Sequence, residues 1–413
     1  MIKSITTILI CFYIFPTNAW AARLFSSGFE LQSVVAGVEF EIINNVPSID
    51  TTTFRSGLAA GRFDAASETL GASLTAPGAY HWFSRSYVYI ATAPNALHTI
   101  MTIGNASTDT TGARIRLNAN RTLELWSGAA QVGSDSAALD LNTWYRIELN
   151  FDDTVADNTV TGYINGASFA SGTGVDHATV DTVSWGVFAG PATVDIYMDD
   201  LALNDSTGSS QNSLPGAGSI VHMQPDGAGD NAGQSAGTFA DIDEITPDNA
   251  TTIITLDADA DLADFMCESS SAAGIGSTDT ISVIQVGVRE APLTAAADSY
   301  ALRIKSASSG TTIEGTTLTH NDTTYKTNGD ALPRIYSLTS YTDPTTAVAW
   351  TPTGTNSLDN MQVGVHAIDA TPDILTSTLW ALVEYVPSVV PPAIISHTII
   401  QSQVIPNGQV IIP

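Results

Sequence analysis

Glu39 and Glu41 are the acids in this 413-residue sequence whose spacing best suits glycoside hydrolysis. That chemistry needs two carboxylates facing each other across a cleft, one as general acid and the other as nucleophile or base. Alternate positions of one strand can present them, as in a Glu-x-Asp-x-x-Glu run, but no third acid follows Glu41 at that offset. The run from Asp241 to Glu244 has the wrong order. We therefore expect no catalytic residues and a protein that is not an enzyme.

A second acidic run imitates a calcium-binding loop. Four acids stand at the first, third, fifth and twelfth positions of an EF-hand loop, namely Asp257, Asp259, Asp261 and Glu268. Leu262 stands where that loop needs glycine for its sharp turn, and no helix pattern precedes the run. A solvated acidic loop that caps a short helix over residues 257–268 is the better interpretation. We expect no metal site, and calcium is the one cofactor that these acids would admit.

Other chemistry has little support. Asp199 and Asp200 could bind calcium at a sandwich rim, but Asp199 also fits a polar position between Met198 and Leu201. No two histidines lie three or four residues apart, so we expect them to be structural; they stand at 81, 98, 177, 222, 320, 366 and 397. No grouping of serine, histidine and aspartate indicates a nucleophilic site, and no glycine-rich phosphate loop precedes a predicted helix.

Aromatic residues could bind sugars, because an exposed ring can stack against the apolar face of a sugar. Trp82, Trp126 and Tyr163 are candidates, and Trp144 either is exposed or packs against a second sheet. Core packing is the more common fate of tryptophan in a β-sandwich. We assign no ligand-binding residues from the sequence.

The elements that position these residues are strands. In residues 142–151, Tyr145, Ile147, Leu149 and Phe151 alternate with Trp144, Arg146, Glu148 and Asn150, as half-buried antiparallel strands require. Further strands are predicted at 79–91, 97–104, 113–117, 122–126, 160–166 and 194–203. Asn165-Gly166 is a turn signal. The short spacing of strands and turns indicates an all-β sandwich.

Residues 142–151, 160–166 and 194–203 resemble the closing strands of a concanavalin-A-like or laminin-G-like jelly roll. The resemblance extends over about residues 23–205. It implies a fold that binds sugars or surfaces more often than it performs catalysis.

Composition limits the partners. The formal net charge is −28, and residues 209–288 contain no lysine or arginine. Nucleic-acid phosphate and anionic lipid would both be repelled, so we expect neither as a partner. The length suits two cores rather than one.

The chain divides into five parts. Residues 1–21 combine one lysine with an apolar run, which fits either a signal peptide or an incorrectly assigned start. Residues 22–205 form the jelly roll, 206–238 a Gly/Ser/Pro linker with a strand at 220–224, 239–387 a second β-sandwich, and 388–413 an apolar, proline-rich tail. After residue 21 only Cys267 remains, so one chain has no internal disulfide, and we expect no membrane insertion of the mature chain.

The second half repeats the alternation. Tyr300, Leu302 and Ile304 alternate with Ala301, Arg303 and Lys305, and the same pattern extends over residues 379–385. Prolines prevent a helix in the tail, which is therefore extended. We expect the tail and the second sandwich to mediate self-association.

The order of the parts carries a second resemblance. Four segments follow one another in an order that resembles structural proteins of tailed-bacteriophage virions. They are a jelly roll that ends in Asp199-Asp200-Leu201, a Leu-Pro-Gly segment before a strand, residues 239–244, and the run from Asp343 through Trp350 to Val365. The resemblance implies a non-catalytic tail or capsid-exterior component that contacts other virion subunits and whose jelly roll contacts host-surface glycans. A secreted bacterial carbohydrate-binding or adhesive protein is the alternative, and a jelly-roll glycoside hydrolase is a third class.

Overall fold

The chain folds almost entirely as antiparallel β-structure. The computed structural model describes residues 22–74, 81–105, 112–154, 159–173, 180–188, 193–249, 251–330 and 336–388. Across these ranges the helical segments are two short 3₁₀ turns, η1 (Phe239–Asp241) and η2 (Leu358–Asn360). The prediction of an all-β protein built from β-sandwiches is confirmed. The predictions for residues 1–21 and for the tail beyond Ser388 lie outside the described residues.

The first sandwich contains two sheets whose strands follow the predicted alternation. Its strands are β1 (Arg23–Ser27), β2 (Ile42–Asn44), β3 (Ser48–Asp50), β4 (Ala60–Phe63), β5 (Thr69–Ser73), β6 (His81–Thr92), β7 (His98–Gly104), β8 (Ala113–Leu117), β9 (Leu123–Ser127), β10 (Ala130–Val132), β11 (Trp144–Asp152), β12 (Thr159–Ile164), β13 (Ala167–Thr173), β14 (Thr182–Gly186) and β15 (Asp195–Asp205).

These strands form two sheets that pack as layers around one core. One sheet runs β13-β12-β11-β6-β15-β4-β3, with β1 added beside β15, and the other runs β10-β9-β8-β7-β14-β5-β2. Ile147, Leu149 and Phe151 point inward from β11 and are fully buried. Period-two alternation places one face of each strand in this core, which explains why the sequence pattern located these strands well.

The second sandwich is also antiparallel. Its strands are β16 (Ser219–Met223), β17 (Pro225–Ala232), β18 (Ile254–Leu256), β19 (Leu262–Cys267), β20 (Thr280–Pro292), β21 (Asp298–Lys305), β22 (Ile313–Glu314), β23 (Leu318–His320), β24 (Lys326–Thr327), β25 (Leu338–Ser340), β26 (Gln362–Asp369) and β27 (Ile374–Val386). One sheet runs β16-β27-β20-β24, with β18 beside β27 and β25 beside β20. The other runs β17-β19-β26-β21-β22, with β23 beside β21.

The helix predicted over residues 257–268 is wrong. Residues 257–261 form a turn in which the Asp261 carboxylate accepts a hydrogen bond from the Ala258 amide at 3.0 Å, and β19 follows immediately. Ala263, Phe265 and Cys267 alternate into the second core. Burial of one face at period two therefore decides the local structure against the weaker helix-capping signal.

The predicted linker over residues 206–238 is wrong in its second part, because a second strand, β17, occupies residues 225–232. This strand lacks large apolar residues and pairs closely with β19. A Cβ at Gly229 would lie 2.3 Å from the backbone oxygen of Asp264, so only glycine permits this approach. The strand predicted at 220–224 is present as β16.

The two sandwiches contact each other, and the segment between β1 and β2 supplies part of the apolar contact. Leu31 and Val38 of the first pack with Ile220, Trp380 and Leu382 of the second. Residues 206–218, the first part of the predicted linker over 206–238, are tied to the first sandwich, because the Glu148 carboxylate accepts a hydrogen bond from the Gly216 amide at 2.8 Å.

No helix within the described ranges is long and apolar enough to cross a bilayer.

Candidate functional site

Glu39 and Glu41, the predicted acidic pair, line one cleft. The cleft lies where the sandwiches meet and has a cavity volume of about 10 Å³, room for about one water molecule. Its walls are Phe25, Leu31, Gly37, Val38, Phe40, Thr327, Asn328, Tyr336 and Trp380. Burial raises the pKa of Glu39 to about 7, and the Ser27 hydroxyl opposes this only in part. Glu39 could therefore carry a proton near neutral pH.

Glu41, at the same cleft, is held by a hydrogen bond within the first sandwich. Its carboxylate accepts a hydrogen bond from the backbone amide of Ser73. This bond fixes the segment before β2 against β5, next to which Glu41 lies. The two acids thus share one wall with apolar neighbours, whereas glycoside hydrolysis uses acids on opposite sides of a bound sugar.

Asp199 and Asp200 lie in the contact between the sandwiches and not at a solvated rim. Both are fully buried. Asp199 accepts hydrogen bonds from the amides of Arg55 and Ser56, at 2.8 and 3.2 Å, and Asp200 forms an ion pair with the Arg55 side chain. Asp200 also accepts the Ile220 amide at 2.6 Å. The Asp200 carboxylate therefore links Arg55 of the first sandwich to Ile220 of the second.

A second group of charged side chains also lies in the contact between the two sandwiches. Glu384 of β27 forms ion pairs with Arg23 of β1 and Arg85 of β6, and all three side chains are buried. Burial opposes ionisation of Glu384, but the charges of the two arginines together outweigh it and hold its pKa below the ordinary carboxyl value.

The four acids that imitate the spacing of an EF-hand loop do not converge. Asp257 and Asp259 are exposed, and the Asp259 carboxylate accepts a hydrogen bond from the Ala370 amide at 3.0 Å. Glu268 lies at the far end of β19 and accepts the Gln224 amide at 3.2 Å. Among the described residues these acids do not meet the distance expected of a metal-binding group.

The aromatic residues that the sequence offers as sugar-binding candidates differ in how deeply they are buried. Trp82 is 2% exposed and belongs to the first core. Trp126 is half-buried on the outer face of β9, where its ring lies 4.7 Å from the Arg116 guanidinium and its Nε1 donates to Glu124 at 2.7 Å. Tyr163 is half-buried on β12.

Trp144 begins a line of side chains across the outer face of the eight-stranded sheet, which we call the Trp144 row. It consists of Trp144 on β11, Tyr89 on β6, Tyr197 on β15 and Arg62 on β4, each directly opposite the next in the strand pairing. Their strand neighbours, including Val88, Ile196 and Met198, point into the core, so the row faces outward.

Ring contacts hold the Trp144 row in place. The ring centroids of Trp144 and Tyr89 are 5.4 Å apart, and those of Tyr89 and Tyr197 are 5.7 Å apart with the planes at 89°. The Arg62 guanidinium lies 5.7 Å from the Tyr197 ring. Trp144 and Tyr89 are half-buried and Tyr197 is buried, so the Trp144 end offers the accessible aromatic surface.

Polar groups stand at both ends of the Trp144 row. The Tyr89 hydroxyl donates to the exposed Asn142 side chain at 3.2 Å. Arg62 donates to Asp195 through Nε and Nη2, at 2.9 and 3.0 Å, and both side chains remain partly exposed. Such groups can exchange hydrogen bonds with hydroxyls of a ligand that lies on the rings.

The sequence pattern placed Trp144 opposite the core-facing residues but did not reveal its companions. Tyr89 and Tyr197 are 108 residues apart, and only the register of β6 with β15 brings them together. The sequence signal that could have found these companions is the presence of outward-facing aromatic residues on the predicted strands.

The comparisons with known proteins show similarity of fold only. No protein-family model matches the sequence, and no curated protein does either. Among solved structures, a mutant of Trypanosoma rangeli sialidase displaying trans-sialidase activity is 17% identical, with a TM-score of 0.29. The binding domain of botulinum neurotoxin serotype D is 13% identical, with a TM-score of 0.34, and the cellulose-induced protein Cip1 is 14% identical, with a TM-score of 0.32.

The matched regions are partial. They cover 38%, 46% and 47% of this chain, respectively. The chain spans 27% of the sialidase and 49% of the neurotoxin domain, and 99% of Cip1. At such identities and scores the similarity carries no argument about function.

Proposed function

We propose that this protein is a non-catalytic structural protein that contacts neutral glycans through the Trp144 row. The observation that carries the proposal is the row itself, an outward-facing aromatic line with hydrogen-bonding groups at Asn142 and at the Arg62–Asp195 pair. The net charge of −28 favours a neutral glycan over an anionic one, because like charges repel.

The particle that fits this role is a tailed-phage virion. The resemblance in the order of the sequence segments supports that setting, with the protein on the tail or capsid exterior beside other virion subunits or further copies of itself. The buried ion pairs of Glu384 support a rigid two-sandwich building block. Nucleic acid and membrane are not proposed as partners. A secreted bacterial adhesive protein is the alternative setting.

Glycan binding is tested by calorimetric titration with neutral oligosaccharides, preceded by a glycan array to select the ligand. We expect Trp144→Ala to abolish binding and Trp126→Ala, the matched tryptophan on the opposite sheet, to leave it unchanged. Loss of binding in Trp126→Ala alone would place the glycan on the other sheet, and an absence of binding to every neutral glycan would refute the proposal.

The setting is tested separately by mass spectrometry of gradient-purified phage particles and of the culture medium. The virion role predicts the chain in the particles at a fixed ratio to a coat protein. A chain found free in the medium, beginning near Ala22, would favour the secreted alternative.

For the third class, glycoside hydrolysis, the one favourable feature is Glu39, whose pKa burial raises to about 7, although Glu39 and Glu41 share one wall of a small cleft. Its test is product release from neutral oligosaccharides. Turnover that is lost in Glu39→Gln would support the hydrolase and contradict a non-catalytic role.

A further inference from the structure

One group of metal-ligating side chains lies away from the Trp144 row. His320, Asp322 and Asp330 each offer a ligand atom, and these atoms all lie within 4.8 Å of one another. His320 ends β23, Asp322 stands in the turn that follows, and Asp330 follows β24. The Asp330 carboxylate accepts the Asn321 amide at 3.0 Å, which ties the two segments together.

The His320 ring is fixed by its other nitrogen. Nδ1 lies 2.7 Å from Oε1 of Glu290, and the Tyr300 hydroxyl donates to the same oxygen at 2.9 Å. A carboxylate on the far nitrogen is the arrangement that orients metal-binding histidines. With the proton on Nδ1, Nε2 presents a lone pair.

That second nitrogen points into the acidic group. His320 is fully buried, and its Nε2 has no hydrogen-bond partner among the described residues. It lies 3.7 Å from Oδ1 of Asp322 and 4.0 Å from Oδ1 of Asp330. A buried ring nitrogen left without a hydrogen bond costs free energy unless something occupies the space that it faces.

A lysine already supplies a positive charge there. Lys326, opposite Glu290 in the pairing of β24 with β20, forms ion pairs with both Asp322 and Asp330. Its side chain is 17% exposed, and its flexible stem allows the ammonium to move into solvent. A metal ion must therefore compete with this ammonium for the two carboxylates.

The donor set selects the class of ion. One imidazole nitrogen with two carboxylates suits Zn²⁺ or Co²⁺, which accept mixed nitrogen and oxygen ligands and complete their coordination with water. Calcium prefers six to eight oxygens and is a poor match.

We propose that His320, Asp322 and Asp330 bind one divalent transition-metal ion in competition with the Lys326 ammonium, with Glu290 as the positioning residue. The ion would join the end of β23 to the segment after β24. The site is separate from the Trp144 row, so failure of one proposal leaves the other standing.

The experiment is titration of the tag-free full chain with Zn²⁺ by calorimetry, and with Co²⁺ by visible absorption. We expect one ion per chain, affinity stronger by roughly tenfold or more in Lys326→Met, and affinity weaker by roughly 10- to 100-fold in Asp322→Asn. Asp322 is 44% exposed, so its variant should fold. Asp257→Asn, in the exposed acidic turn, is the control and should match the unmodified chain.

Three results would overturn the proposal. The first is no zinc binding by the unmodified chain. The second is zinc binding that neither Lys326→Met nor Asp322→Asn changes. The third is an equal loss in the Asp257→Asn control, which would show nonspecific attraction to an acidic surface.

Discussion

Arg85 and Glu384 lie 299 residues apart in the sequence, on different sandwiches, and form an ion pair in which both side chains are buried. Arg23 pairs with the other carboxylate oxygen, so one acid lies between two arginines. Buried ion pairs of this kind add little net stability over an apolar contact, but each partner strongly requires the others. The two sandwiches are therefore expected to unfold together.

Replacing Glu384 with alanine should be among the most destabilising single changes. It leaves the charges of Arg23 and Arg85 buried without their counter-ion, which costs on the order of 3–5 kcal/mol. Urea denaturation followed by tryptophan fluorescence measures the loss. Glu314→Ala is the control, because the Glu314–Arg303 pair is partly exposed and such pairs contribute about 0–1 kcal/mol. Similar small losses in both variants would contradict the role assigned to Glu384.

Stability should fall as pH rises above the ordinary carboxyl range, because of Glu30. Burial raises the pKa of Glu30 to about 9, so the folded chain retains a proton that the unfolded chain releases above about pH 4.5. Stability from this group is complete below pH 4.5 and is lost as pH rises toward 9, at roughly 1.4 kcal/mol per pH unit.

The matching variant is Glu30→Gln, which imitates the protonated acid. Free energies of unfolding measured from pH 5 to 8 should decline less steeply in this variant than in the unmodified chain. The Glu384 carboxylate acts in the opposite sense, since its lowered pKa loses stability only as pH falls. Parallel curves for the two proteins would show that Glu30 ionises normally.

Trp82 and Trp144 should differ sharply in their effect on stability. Trp82→Ala empties part of the first core and should cost about 3–5 kcal/mol. Trp144→Ala removes only cross-strand contacts of the half-buried ring with Tyr89, worth about 1 kcal/mol or less. Thermal unfolding of both variants tests this, and a severe loss in Trp144→Ala would mean that the row is structural.

The sequence predicted strands well where one face is apolar and the other polar. β8 coincides with the predicted 113–117, and Ile147, Leu149 and Phe151 are buried as their alternation indicated. β17 escaped prediction because it consists of glycine, alanine, aspartate, asparagine and proline, so its pairing depends on close backbone approach rather than on an apolar pattern. The supposed helix failed because Ala263, Phe265 and Cys267 also fit a strand.

The candidate sites required information that no local pattern holds. A search for two closely spaced histidines overlooks His320, whose neighbours are aspartates from a turn and from the segment after another strand. The Trp144 row needs the register of four strands, and the Glu384 pairs need the docking of two sandwiches. Local periodicity identifies which side of a strand is buried but not which distant residue lies opposite.

Gly287 should be intolerant of a side chain, because it lies directly opposite Trp380 in the pairing of β20 with β27. A Cβ at this position would be 2.3 Å from two ring carbons of Trp380, and that ring packs with Leu31 and Ile220 between the sandwiches and is 1% exposed. Gly287→Ala must therefore displace a buried indole, at a cost of about 1–3 kcal/mol.

The control for this substitution is Gly227→Ala on β17, where the nearest atom to a new Cβ is the Met266 Cβ at an ordinary 3.4 Å. Alanine there should leave stability unchanged or raise it by a few tenths of a kcal/mol, since alanine restricts the unfolded chain more than glycine does. The urea concentrations at the unfolding midpoints of the two variants and of the unmodified chain measure these differences in stability. Because Trp380 belongs to the contact between the sandwiches, Gly287→Ala should also increase protease cleavage within residues 206–218. Loss of stability without such cleavage would confine the effect to the second sandwich.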